Sequence, residues 1–129
     1  MHMRKIFQLS WEEGVVFDFW SIVHSNTGAI MAMIVPLVVG GAFLSYFIAL
    51  VLMVVWELYE AIVGIEEHIE NRISDIVFGT LGYSIAYNFI PRDGLRHFVF
   101  LAIFIIIACV LGFFGWKAYH SRRQKAVEQ

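Results

Sequence analysis

Residues 19–56 read FWSIVHSNTGAIMAMIVPLVVGGAFLSYFIALVLMVVW, a run without a single Asp, Glu, Lys or Arg. A helix rises about 1.5 Å per residue, so roughly 20 apolar residues cross a bilayer. This run is about twice that length, and Pro36 followed by Gly40-Gly41 supplies a turn signal in its middle. It predicts two spans, about Trp20–Val38 and Phe43–Val63.

Beyond it, Gly64–Arg72 is too charged to cross lipid, and Asn71 reads as the N-cap of the next helix. A third span, about Arg72–Ile90, carries Asp75, Ser84 and Asn88. Pro91-Arg-Asp-Gly94 is a turn. A fourth span, about Leu95–Tyr119, contains the apolar run Phe98–Trp116, with Cys109 expected as a small core residue. The chain therefore divides into an interfacial segment over residues 1–19, with Trp11 and Phe17 as anchors, a transmembrane domain over 20–119 and a basic tail over 120–129. Arg4-Lys5 is followed by too few apolar residues, and no cleavage site, for a secretory signal.

Composition agrees. Of 129 residues, 60% are hydrophobic and 16% charged, against roughly 45–50% and 25% in soluble domains. The net charge of −2 gives no reason to expect a nucleic-acid partner. One cysteine excludes an internal disulfide. The expected fold class is all-α, a bundle of four transmembrane helices. Arg4, Lys5, Arg72, Lys117, Arg122, Arg123 and Lys125 fall on one side and only Arg92 and Arg96 on the other. That asymmetry predicts an integral membrane protein with both termini in the cytoplasm. Trp20, Trp56 and Trp116 share the same interface.

The polar groups gather at that side: His24, Glu57, Glu60, Arg72 and Asp75, with Lys117 and His120 at the same level. Ionisable residues at membrane depth are costly and face protein or a wet cavity. Glu57 and Glu60 are three apart and share a helix face with Met53 and Leu50. Asp75 leads a small-residue stripe of Gly79, Gly82 and Ala86, which lets helices approach closely in lipid. The stripe is expected to pack on span 2 and bring Arg72 or Asp75 to Glu57 and Glu60. The cluster reads either as a structural ion pair or as a functional pocket. His24, Glu57, Glu60 and Asp75 are metal-ligand types, but HExxH-type spacing is absent and Arg72 would repel a cation, so no metal and no cofactor are expected. Haem is not expected either, because His97 lies opposite His24 and His120 and no attachment motif is present.

Trp56-Glu57-Leu-Tyr-Glu60 and Arg72-Ile-Ser-Asp75-Ile-Val-Phe-Gly79-Thr-Leu-Gly82, behind a histidine at the start of the first span, resemble the VanZ-like family of small membrane proteins. The resemblance covers about residues 18–90 and is marked by His24, Glu57, Asp75 and Gly82. Glu60 stands where the family often has Gln, Gly79 where it often has Asn, and Arg72 lies closer to the Asp. The resemblance implies a polytopic protein whose namesake confers low-level glycopeptide resistance.

Three functions stay open. The first is a binding or accessory subunit, in which Arg72 holds an anionic lipid headgroup or a partner subunit and the carboxylates orient it. The second is a membrane enzyme acting on a lipid or lipid-linked envelope precursor, with Glu57 or Glu60 as base and His24 as acid-base partner. The third is proton or ion conduction by a homo-oligomer, with Tyr46, Tyr83, Tyr87 or Asn88 lining the outer half. The expected partners are the bilayer and another membrane subunit or a second copy.

Overall fold

A computed structural model describes residues 6–12, 14–65 and 67–127. Arg4 and Lys5, which enter the charge asymmetry, lie outside the described residues. Four helices succeed one another along the chain: α1 Phe19–Val39, α2 Ala42–Ile62, α3 Ile69–Phe89 and α4 Gly94–Val127. α1, α2 and Gly94–Gln124 of α4 are long and apolar enough to cross a membrane. α3 has the same 21 residues as α1 but is not among those three candidate spans.

Local chemistry explains most of the helix ends. Asp18 caps α1: its carboxylate accepts the Trp20 and Ser21 amides at 2.8 and 3.2 Å, and Ser21 Oγ accepts the Asp18 amide at 3.3 Å. Pro36 sits inside α1 and does not end it; the turn belongs to Gly40 and Gly41, at φ 71° and 69°, a backbone region that costs glycine little. The α3 N-cap position is His68, so Asn71 is not the cap but a fully buried residue of the first turns. α4 continues past Tyr119 through the basic residues Arg122 and Arg123, which are therefore helical.

α1 is the centre of the packing. Its most extensive partner is α3, while α2 leans on both and α4 rests on α1 alone. The expected bundle is thus a trio, α1–α2–α3, with α4 on its flank. The small-residue stripe of α3 faces α1, not α2 as the sequence suggested. A methyl group on Gly28 would collide with the Gly79 carbonyl, and one on Gly82 with the Ser25 carbonyl. Only Gly79 also meets α2, where a Cβ would lie 2.8 Å from Met53 Sδ. Ser21, Ser25, Gly28 and Ala32 are spaced four, three and four, the same spacing as Asp75, Gly79, Gly82 and Ala86. Two matched stripes therefore lie face to face, in parallel.

Burial on α3 is inverted relative to a soluble helix. Asn71, Ser74, Asp75, Gly79, Gly82, Tyr83 and Ala86 are buried, whereas Ile73, Val77, Leu81, Ile85 and Phe89 are exposed. α4 is held by a few anchors. Asn26 Nδ2 donates to the Phe104 carbonyl at 3.0 Å. His97, 2% exposed, sets Nε2 3.0 Å from the Met33 carbonyl and Nδ1 3.2 Å from the Pro91 carbonyl. Gly115 lies against the rings of Trp11 and Trp20. Cys109 is exposed on the outer face of α4 and is not a core residue, because α4 has a neighbour on one side only.

Gly82→Leu is expected to abolish the α1–α3 crossing, since backbone cannot yield as a side chain can; overpacking costs of about 1–3 kcal/mol are a lower bound. Gly112→Ala, at a site with no neighbour within 4 Å, is expected to raise stability by up to about 1 kcal/mol through helix propensity. Thermal unfolding of both variants in detergent checks the contrast.

Candidate functional site

The α1–α3 crossing sets one end of the trio. Ser21 Oγ donates to Asp75 Oδ1 at 2.9 Å, and Asn71 Nδ2 donates to Asp75 Oδ2 at 3.3 Å and also to Glu67. Asn71 and Asp75 are four apart and share one face at the start of α3, and Glu67 lies just before the helix. One turn further into α1, His24 points into the trio. Its Nδ1 lies 3.5 Å from Glu57 Oε1 and its Nε2 lies 3.6 Å from Asp75 Oδ2. Thus α1, α2 and α3 each supply one side chain to a single point. Ser45, Ala49, Met53 and Glu57, four apart, are the buried line of α2 that ends there.

Asp75 is 1% and Glu57 5% exposed. Both Glu57 carboxylate oxygens are buried and lack a hydrogen-bond partner among the described residues. A buried, unpartnered carboxylate is costly, because it has lost its water without a replacement. Glu60 and Glu67 continue the acidic chain: one oxygen each of Glu57, Glu60 and Glu67 lies within 4.8 Å of the others.

Arg72 does not neutralise Glu57 or Glu60. Its guanidinium donates to the backbone carbonyls of Ile65 and Glu57, at 3.1 and 3.4 Å, and Nε lies 3.8 Å from Glu67 Oε2. It clamps the α2–α3 loop. Lys117 and His120 are exposed on α4 and do not join the cluster. The structure therefore brings together His24, Glu57, Glu60 and Asp75, and it replaces the expected Arg72–Glu57 pair with an Arg72–Glu67 one. Gly79, Gly82 and Ala86 act as packing residues, as their spacing indicated.

The end of the trio is covered by the N-terminal segment. Phe7 and Phe17 pair in an isolated parallel bridge, with the Gln8 amide donating to the Phe17 carbonyl at 2.8 Å. Phe17 meets Phe78 edge-on at 5.3 Å between ring centroids, and Ser74 Oγ donates to the Val16 carbonyl. Phe17 thus anchors to α3. Toward the other end, Tyr83 stacks on Tyr87 and meets Tyr46 edge-on. Ala29, Ala49 and Met53 pack alongside Tyr83 between the helices. An apolar groove of about 480 Å³ lies between α1, α3 and α4, lined by Ala29, Ile85 and Phe104 among others. It is separate from the acidic cluster.

Ser21, Asn71 and Glu67 were not singled out from sequence as members of the cluster. The matched stripe spacing carried a signal for Ser21, and the four-residue line through Asp75 one for Asn71. Glu67 precedes the helix, and only the folded loop brings it to Arg72.

No family model, curated protein or solved structure matches the chain.

Burial pushes the Glu67 carboxyl above the ordinary glutamate value of 4.5, while Asn71 and Arg72 pull it down. A carboxyl raised in the folded state binds its proton better there than in the unfolded chain. Its contribution to stability is present below pH 4.5 and is lost as pH rises through the folded value. The melting temperature of the wild type, relative to Glu67→Gln, is therefore expected to fall as pH rises above 4.5. Parallel melting curves across that range check it.

Proposed function

We propose that the chain is an integral membrane protein with four spans and both termini on the cytoplasmic side, and that it acts as a binding subunit through its acidic cluster. The arrangement of α3 supports counting it as a span. It runs beside α1 along matched stripes, and its exposed face is the apolar line Ile73, Val77, Leu81, Ile85 and Phe89. Its polar residues lower the average hydropathy while facing protein, as expected of an intramembrane helix that carries function. Arg72, Lys117, Arg122 and Arg123 at the cluster end, against Arg92 and Arg96 at the other, support a cytoplasmic cluster.

The observation that carries the binding reading is Glu57, buried with both oxygens unpartnered. A purely structural ion pair would have closed that gap, because breaking a buried pair costs about 3–5 kcal/mol. Arg72 is engaged elsewhere, so the ligand is positively charged, not the anionic headgroup that a lone arginine suggests. The ligand is a cationic group: an ion, or an amine or guanidinium from a lipid or partner subunit.

A second reading is favoured by His24, which stands between two carboxylates in the manner of an acid-base group. It makes the protein a membrane enzyme acting on a lipid or lipid-linked envelope precursor, the second of the functions left open by the sequence.

Native mass spectrometry of the protein released gently from its own membrane separates these readings. The wild type is expected to carry a stoichiometric ligand or partner that Glu57→Gln loses while keeping its helical content and melting temperature. Turnover of a lipid-linked precursor that Glu57→Gln abolishes, with no retained ligand, would favour the enzyme. A bare wild type without turnover, and a Glu57→Gln variant that is more stable, would overturn both.

A further inference from the structure

We propose that His24, Glu57 and Asp75 form a binding site for one divalent transition-metal ion, of the zinc, manganese or ferrous class. The proposal rests on the cation-binding reading above and names its ligand.

The separations between the three side chains suit an ion. One ligand atom from each of the three residues lies within 4.8 Å of the other two, and His24 stands 3.5 and 3.6 Å from the carboxylate oxygens. Ligands at about 2.0–2.2 Å from a metal stand roughly 3–3.6 Å apart around it. Both contacts are too long for good hydrogen bonds, and the three ligand atoms within 4.8 Å of one another leave room for an ion among them. The two carboxylates flank different ring nitrogens, but one nitrogen lies within 4.8 Å of an oxygen of each, and the ion takes that nitrogen.

Glu57 points the same way independently. Its carboxylate is buried and aimed at His24, and neither oxygen has a partner among the described residues. Two ligating oxygens without protein donors are what an ion requires. Asp75, in contrast, is oriented from behind by Ser21 and Asn71, the kind of support that metal ligands receive. The three ligands come from three helices locked by the glycine crossing, so the site is held rigidly.

Charge and donor type choose the ion. Glu57, Glu60 and Asp75 with one imidazole leave net negative charge. Arg72, which in the sequence alone argues against a cation, turns to the loop carbonyls and Glu67. An imidazole with two carboxylates suits zinc, manganese or ferrous iron better than calcium or magnesium, which prefer oxygen alone. The neighbouring set Glu57, Glu60 and Glu67 is oxygen-only, and the Arg72 guanidinium beside Glu67 opposes an ion there.

The test uses the full chain in detergent, stripped with chelator and titrated with zinc sulfate and, separately, manganese chloride. One ion per chain is expected by native mass spectrometry and calorimetry. His24→Ala and Asp75→Asn are expected to weaken binding about tenfold or more, and Asp93→Asn, an exposed carboxylate in the turn before α4, to leave it within about twofold. Circular dichroism verifies that each variant is folded. His24→Cys, with Cys109→Ser to remove the exposed thiol, keeps the proposal falsifiable if the other variants unfold. Loaded with cobalt(II), it is expected to show a thiolate-to-metal absorption band. No zinc or manganese binding by the wild type overturns the metal proposal. So does binding that survives His24→Ala, or that Asp93→Asn removes equally, or a cobalt-loaded cysteine variant without the band. An organic cation or partner lost on Glu57→Gln, with no metal, overturns the metal alone and leaves the binding reading standing.

Discussion

Two backbones touch where Gly28 meets Gly79 and Gly82 meets Ser25, and the acidic end of the molecule depends on that approach. In the membrane setting proposed above, hydrophobic burial does not drive helix association, because the surroundings are as apolar as the side chains. Close packing and hydrogen bonds must supply the adhesion. Any side chain at Gly28 or Gly82 would separate α1 from α3. With them would go the 2.9 Å hydrogen bond from Ser21 to Asp75 and the position of His24.

The crossing also explains why α3 has the composition it has. A helix that approaches its neighbour through glycine and alanine, and carries Asn71, Ser74 and Asp75 inward, averages to a modest hydropathy whatever its outer face. Its exposed isoleucines, valine and leucine present a surface suited to lipid. Average hydropathy is blind to which face a residue occupies, whereas the burial pattern is not.

Polar satisfaction is uneven across the cluster. Asp18 is fully served by its cap and by the Gly14 amide at 3.0 Å. Asp75 is served by Ser21 and Asn71. Glu57, at the junction of three helices, has the His24 ring 3.5 Å away but no hydrogen-bond partner among the described residues. Native proteins leave few such groups, and those that remain are where ligands are met. The N-terminal segment closes over this end through Phe17 and Ser74, so the cluster is lined by helices and covered by chain.

The sequence by itself determined the helical class, the turn at Gly40-Gly41 and the set His24, Glu57, Glu60 and Asp75. These are consequences of local composition: a charge-free run, glycines with positive φ, and ionisable groups too costly to leave in lipid. It also indicated a close-packed face at Gly79, Gly82 and Ala86, but not which helix would meet it. Only the tertiary structure decided that the partner is α1, that α4 stands on the flank with Cys109 outward, and that Arg72 turns to Ile65, Glu57 and Glu67 through backbone and loop. The reason is physical. Spacing fixes which residues share a face, but a face has no address until another surface of matching shape lies against it. An arginine chooses among carboxylates and carbonyls only after the loop that carries them has closed.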